Sequence, residues 1–218
     1  MTIAIDGPSG AGKSTIARQA AQRLGFAYID TGALYRAIGL AAMRAGTCTK
    51  DEQAIAACLP NLALSVQYLG GIQHVFLGDE DVSEKIRSPK ASLAASDVGK
   101  VPAVRDYLLE LQRNLAYAQD SILDGRDIGT VVLPQADVKI FLTASAEERA
   151  RRRWHQLKES GTDEPYEKVL AEVIARDEQD MNRAIAPLKP AKDSITLDTT
   201  NMTLEESVNA VTSIIQEK

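Results

Sequence analysis

The sequence has no excess of positive charge. Its 25 Lys and Arg residues stand against 30 Asp and Glu, a formal net charge of −5. A nucleic-acid-binding surface usually shows a basic face, so that class of partner is not expected. Cysteine is scarce. Cys48 and Cys58 match no metal or redox spacing and are read as inert thiols. His74 and His155 have no metal-ligand partner at useful spacing and are set aside. Long apolar runs are missing, and a membrane span needs about 18 or more such residues. The first strand is read from Thr2, which leaves no room for a signal peptide; the expected location is the cytoplasm. Internal repeats and low-complexity segments are absent as well. The chain of 218 residues is enough for one sizeable core with a small insert, and not for two full domains. No oligomer seam is visible, so a monomer is expected.

What the sequence does have is alternation. Five short apolar runs read as buried strands: "TIAID" at 2–6, "FAYID" at 26–30, "SILDG" at 121–125, "VKIFLT" at 138–143 and "SITLDT" at 194–199. Helical stretches separate them. That order implies an α/β fold with a five-stranded parallel sheet covered on both faces. Residues 60–98 break the pattern: "LALSVQY" and "IQHVFLG" flank Gly70-Gly71 and read as an antiparallel hairpin, followed by helical pieces to about residue 119. Ser145-Ala146-Glu147-Glu148 forms a capping-box pattern that opens the helix "AEERARRRWHQLK". A polar break follows, then a second helix, "YEKVLAEVIARDEQDMNRAI", which Pro187 and Pro190 end. This arginine-rich pair of helices reads as a movable lid.

The stretch "GPSGAGKST" at 7–15 carries the complete G-x-x-x-x-G-K-[ST] pattern between a strand and a helix. Gly7, Pro8, Ser9, Gly10, Ala11, Gly12, Lys13, Ser14 and Thr15 are therefore the expected phosphate cradle. Glycines let backbone N–H groups approach phosphate oxygens, and the helix N-terminus adds partial positive charge. Lys13 can reach the β- and γ-phosphates, and the Ser14 hydroxyl can ligate Mg²⁺. Asp124, ending an apolar strand, can help hold that ion through water or cap the following turn. The stretch lacks the third glycine of a dinucleotide fingerprint. The chain also lacks N-K-x-D for guanine, so ATP is the expected donor.

Two more motifs fall at strand ends. "DTGALYR" at 30–36 follows the second core strand and "DGRDIGT" at 124–130 the third. In a parallel sheet both lie at carboxyl ends, where ligands bind, which directs Tyr35, Arg36, Arg126 and Asp127 toward one place. Arg149, Arg152 and Arg153 share a helix face, as do Arg176, Asp180 and Arg183. Guanidinium groups match phosphate in bidentate fashion, so this set suits a second phosphate. A nucleoside monophosphate is mostly ionised at neutral pH, its second pKa being ~6. It needs charge neutralisation and alignment, and no base. Two other readings stay open on residues alone. One is a kinase for another small acceptor, UMP or a hydroxyl compound with Asp127 as base. The other is a nucleotide-binding switch, which the second arginine set argues against.

The chain resembles bacterial cytidylate kinases nearly end to end. The resemblance rests on "IDGPSGAGKST", "DTGALYR", "LDGRDIGTVVLP", "VKIFLTASAEERARRR", "RDEQDMNRAIAPL" and, in the insert, "GDEDVSEKIRSP". It implies a P-loop core (about 1–59, 99–145 and 184–218), a monophosphate-binding insert (about 60–98) and a lid (about 146–183). It implies Mg²⁺-dependent transfer from ATP to CMP or dCMP in pyrimidine nucleotide metabolism. Carried over by motif, Ser96, Arg105 and Asp127 face cytosine; Arg36, Arg126 and Arg183 hold the acceptor phosphate; Tyr35, Arg176 and Asp180 contact the sugar. Arg149, Arg152 and Arg153 close over ATP, and Lys13, Arg126, Arg152 and Arg183 stabilise the transferring group. Thr31 stands where family members often have serine, with an added methyl group near the sugar. Gln179 and Met181 stand where many carry arginine.

Overall fold

The computed structural model describes residues 1–218. In chain order the elements are β1 (Thr2–Asp6), α1 (Lys13–Leu24), β2 (Ala27–Asp30), α2 (Thr31–Arg44), α3 (Glu52–Cys58), β3 (Leu64–Leu69), β4 (Ile72–Leu77), β5 (Glu80–Asp81), α4 (Pro89–Val98), α5 (Pro102–Tyr117), β6 (Ser121–Gly125), β7 (Val138–Thr143), α6 (Ala146–Glu159), α7 (Tyr166–Met181), β8 (Ile195–Asp198) and α8 (Leu204–Gln216). The expected five-stranded parallel sheet is present, in the order β2-β6-β1-β7-β8, and helices flank it. A separate antiparallel sheet has the order β3-β4-β5. No helix is long and apolar enough to cross a membrane. Both cysteines are free thiols.

The chain divides into two compact units, Met1–Phe26 with Asp120–Lys218, and Ala27–Gln119. In the first unit β1 is central. It pairs with β6 from Thr2↔Ser121 to Asp6↔Gly125 and with β7 from Ile3↔Val138 to Asp6↔Phe141. Ile3, Ile5, Ile122, Leu123, Ile140 and Leu142 are buried, as strands covered on both faces must be. The strand ends at Gly7 for a steric reason: a Cβ there would sit 1.9 Å from the Leu142 carbonyl oxygen, and the backbone has φ of 150°. Only glycine fits, so the chain can turn immediately into the loop before α1.

Two details of the lid helices differ from the sequence reading. Only half of the capping box at Ser145 forms. The Ser145 hydroxyl accepts from the Glu148 N–H at 3.2 Å, but the Glu148 carboxylate is taken by Arg151 and Arg152. A complete box forms instead at Thr203 and Glu206, opening α8. Helix α7 also stops earlier than expected, at Met181. The chain folds back so that the Leu188 N–H donates to the Asp180 carbonyl, and Ala186 adopts φ of 50° ahead of Pro187. The pre-proline restriction acts only on Ala186; the earlier end at Met181 comes with this fold-back onto Asp180.

In the second unit, α2 packs on α4, and Leu34, Ile38, Ile55, Val75, Val98, Val104 and Leu108 form one apolar cluster. The hairpin of β3 and β4 turns at Gly70 and Gly71, with φ of 59° and 79°, and pairs Leu69 with Ile72. Those two left-handed residues are what a two-residue hairpin loop requires. The sequence reading did not include β5, which adds a two-residue edge pairing to β4. Helix α2 approaches α4 closely at Gly39, where a Cβ would come within 2.7 Å of the Ala94 Cβ.

This contact generates a test. Alanine is favoured over glycine in a helix by about 0.5–1 kcal/mol, whereas overpacking a tight contact costs typically about 1–3 kcal/mol. Gly39→Ala is expected to lose more than it gains, lowering unfolding free energy in urea by about 1–2 kcal/mol.

Candidate active site

Strand β1 delivers the loop Gly7–Gly12 to the N-terminus of α1. Gly12 sits at the cap with φ of 88°. Lys13 is buried, and its Nζ donates to the Pro8 carbonyl at 2.8 Å, so the loop closes on its own lysine. Burial and, after it, the Arg126 charge lower the Lys13 pKa to about 7 against the opposing charges of Asp124, Asp6 and Asp180. Ser14 Oγ donates to Asp124 Oδ2 at 2.7 Å. A hydroxyl and a carboxylate at one spot suit a hard cation that takes oxygen ligands and draws the rest of its shell from water and phosphate. No group of three or more His, Cys, Asp or Glu side chains could hold a metal.

Asp6, the last residue of β1, was not singled out from sequence. Its buried carboxylate accepts the Ile128 N–H and the Gly129 N–H, at 2.8 Å each. Those residues open a single wide helical turn, Ile128–Val132, in which the Leu133 N–H reaches back to the Ile128 carbonyl. The residues just before that turn are Arg126 and Asp127, and Asp127 is buried. Burial outweighs the two N–H bonds and raises the Asp6 pKa to about 6.

The arginines of this unit fall into two groups. Arg126 Nε donates to Asp180 Oδ2 at 2.9 Å, and Arg183 Nη2 lies 3.2 Å from Asp180 Oδ1. Burial alone would raise the Asp180 pKa, but Arg126, Arg183 and Arg176 together hold it below the ordinary carboxylate range. Arg176, Asp180 and Arg183, which helical spacing grouped, are thus brought together with Arg126 from the strand end. Arg149, Arg152 and Arg153 part company. Arg153 is exposed. Arg152 is half-buried and bonds Glu148 and the Thr199 carbonyl at 3.0 and 2.9 Å. Arg149 is buried, and its guanidinium is bound by the Asp177 carboxylate and the carbonyls of Ser9 and Ala144. Trp154 is packed within the lid pair, donating to the Glu164 carbonyl with Lys158 Nζ 3.6 Å from its ring centroid.

In the second unit, Asp30 caps α2 by accepting the Ala33 N–H, and its other oxygen takes Arg36 Nη2 at 2.7 Å. The Arg36 Nε is buried and has no hydrogen-bond partner, an orphan donor of the kind an anion satisfies. Thr31 is buried in the first turn of α2. Tyr35, one turn on, lies 5.9 Å from the Arg105 guanidinium, measured to the ring centroid. Arg105 is also buried and donates to the Gly99 carbonyl; Ser96, on α4, is half-buried. Gln73 was missed by sequence reading. From β4 its amide accepts the Asp30 N–H at 2.7 Å and donates to the Asp30 carbonyl at 3.2 Å, pairing with the end of β2 as a strand would. His74, beside it, pairs with Asp81 at 2.7 Å.

The cytidylate kinase family model matches residues 3–217. The chain belongs to the cytidylate kinase family. A cytidylate kinase from Caldicellulosiruptor saccharolyticus is 49% identical over 211 residues, covering 97% of this chain and 93% of the relative. One from Desulfitobacterium hafniense is 47% identical over 218 residues, covering 100% and 94%. Among solved structures, a gluconokinase from Sinorhizobium meliloti 1021 superimposes with a TM-score of 0.50 at 16% identity, covering 99% of this chain and 91% of that one. That likeness concerns the fold. Family membership makes the chain a phosphotransferase acting on nucleotides, with ATP as the donor.

Asp6 gives a test of the electrostatics. Its folded pKa, about 6, lies above the ordinary 3.8, so the stability it contributes is fully present below the ordinary value and is lost as pH rises through 6. Asparagine removes that titration and turns an amide donor toward one of the two N–H groups, at a cost of about 1–3 kcal/mol. Asp6→Asn is expected to be less stable than the wild type in urea. The gap should be widest near about pH 4 and shrink toward pH 7.

Proposed function

We propose that this chain transfers the γ-phosphoryl group of ATP to CMP or dCMP, giving ADP and CDP or dCDP. It would act as a cytoplasmic monomer in pyrimidine nucleotide metabolism, with no nucleic-acid partner. One observation carries the reading. Three guanidiniums, Arg126, Arg176 and Arg183, surround the single Asp180 carboxylate, and Arg126 is near enough to Lys13 to depress its pKa. A cradle for one phosphate chain does not need that second cationic group; an acceptor that is itself a phosphate does.

The loop Gly7–Thr15 presents backbone N–H groups to the donor phosphates. Lys13 exchanges the Pro8 carbonyl for the β- and γ-phosphates, and Arg152 and Arg153 neutralise the donor from the lid. Arg126 and Arg183 hold the acceptor phosphate, with Arg36 contributing its buried orphan Nε. The acceptor oxygen is already ionised, its pKa being ~6, so alignment and charge neutralisation suffice. Mg²⁺, held by Ser14 and through water by Asp124, would neutralise charge on the phosphates. Closure of α6 and α7 over the nucleotides excludes water, which would otherwise serve as the acceptor.

Base choice is assigned to Asp127, with Ser96 and Arg105; sugar contact to Thr31, Tyr35, Arg176 and Asp180. A buried carboxylate accepts from the N4 amine of cytosine. Uracil presents oxygen at that position, setting it against the Asp127 carboxylate at a cost of about 1–3 kcal/mol. Arg105 donates to the remaining ring acceptors.

ADP formation with CMP, dCMP, UMP, AMP, GMP or no acceptor tests the whole reading. Activity confined to CMP and dCMP is expected, with kcat/KM for UMP lower by roughly 10- to 100-fold. Asp127→Asn should lower kcat/KM for CMP by a similar factor and narrow its lead over UMP, because the amide can donate to uracil. Collapse with every acceptor would instead make Asp127 a general base for a hydroxyl substrate.

Lys13 provides a second check. Its pKa near 7 in the free protein must rise when polyphosphate binds, so above neutrality binding takes up a proton. Titration calorimetry at about pH 8 in buffers of different ionisation enthalpy should show uptake approaching one proton, and ATP affinity should fall by up to about tenfold per pH unit above 7. Below about pH 6 this contribution vanishes, because Lys13 is already charged.

A further inference from the structure

Arg149 sits on the motif expected to close over ATP, yet every nitrogen of its guanidinium is bound within the protein. Nε donates to the Ala144 carbonyl at 2.8 Å, and Nη1 to the Ser9 carbonyl at 3.1 Å and to Asp177 Oδ1 at 2.9 Å; Nη2 donates to Asp177 Oδ2. Arg149 is only 4% exposed. The apex of the phosphate loop rests on this residue, since a Cβ on Gly10 would lie 3.3 Å from the Arg149 Cβ. We propose that Arg149 and Asp177 form a positioning pair that sets the Ser9–Gly10 peptide of the cradle for polyphosphate binding, with Arg149 itself making no phosphate contact.

A peptide unit is planar, with its C=O and N–H directed oppositely. Pinning the Ser9 carbonyl to Arg149 therefore turns the Gly10 N–H away from α6 and fixes a donor that would otherwise flip with the loop. A guanidinium buried this deeply needs a counter-charge, and Asp177 supplies it in the two-point geometry that suits guanidinium. The fork is necessary: it holds Asp177 and still spares a hydrogen for Ser9, which the single ammonium of lysine on a flexible stem does not reproduce.

The proposal rests on ATP occupying the cradle, so its test uses ATP binding without any acceptor, and CMP turnover by the wild-type chain checks the functional reading separately. ATP affinity is measured by calorimetry for the wild type, Arg149→Ala, Arg149→Lys, Asp177→Ala and the double alanine variant, alongside CMP affinity and the urea midpoint. A positioning pair predicts similar ATP losses, on the order of 10- to 100-fold, for both single alanine variants, no further loss in the double variant, little rescue by lysine, and unchanged CMP affinity. Asp177→Ala leaves a buried cation unpaired. The apolar double variant Arg149→Met with Asp177→Leu removes both charges, keeps the volume and is expected to fold; it should show the same ATP loss at an unchanged midpoint. Wild-type ATP affinity in that variant would overturn the proposal. So would weak ATP binding by Arg149→Ala with normal binding by Asp177→Ala, the pattern of a direct phosphate contact.

Discussion

The carboxylate of Asp6 is the constraint on which the first unit's site depends. It ends the central strand, and it receives the N–H groups of two residues more than a hundred positions away, Ile128 and Gly129. Gly7, which begins the phosphate cradle, follows it directly. Arg126 and Asp127 lie just before the turn it anchors. A single buried anion thus locates the donor loop and the arginine-bearing loop against one point of the sheet. Its pKa, raised to about 6, records that burial outweighs the two hydrogen bonds. The carboxylate is kept because no neutral side chain of that shape accepts from two adjacent N–H groups at once.

Strands and cradle were legible because their causes are local. β1, β6 and β7 are short apolar runs flanked by turn residues, and Gly7, Gly12 and Lys13 follow a spacing with its own mechanical logic. The hairpin was legible for the same reason, since Gly70-Gly71 supplies the two left-handed residues its turn needs. The five-stranded sheet followed from alternation; the edge strand β5, two residues long, carries too little pattern to be read. Partner choice was not legible. Glu148 could have completed a capping box, but two arginines on its own helix compete for the same carboxylate and prevail. The end of α7 is decided by a fold-back at Leu188 that no local rule contains.

The arginines show this division most clearly. Helical spacing grouped Arg149 with Arg152 and Arg153, and it grouped Arg176 with Asp180 and Arg183. The second grouping holds because one carboxylate collects the guanidiniums. The first does not, because α6 presents three different surroundings along a single turn: buried at Arg149, half-buried at Arg152 and exposed at Arg153. Periodicity assigns a face, whereas burial and the nearest acceptor assign a job. Asp6 and Gln73 escaped notice for the complementary reason. Each acts on the backbone of a distant segment, and sequence spacing carries no trace of such a bond.

Helix α7 carries Asp177 and Asp180 less than one turn apart, and the two do different work. Asp177 neutralises an arginine that touches the phosphate loop; Asp180 neutralises arginines assigned to the acceptor. At an effective dielectric of about 20, two like charges 4 Å apart repel by about 4 kcal/mol. Asp180 offsets that repulsion among Arg126, Arg176 and Arg183, while burial, reinforced by the Arg126 charge, holds Lys13 near 7. The free protein thus keeps a preorganised group of guanidiniums around one carboxylate, suited to the acceptor phosphate proposed for it. Preorganisation of this kind raises the free energy of the empty site. It lowers the reorganisation needed when charge shifts during transfer, and it makes nucleotide binding a source of stability for the fold itself.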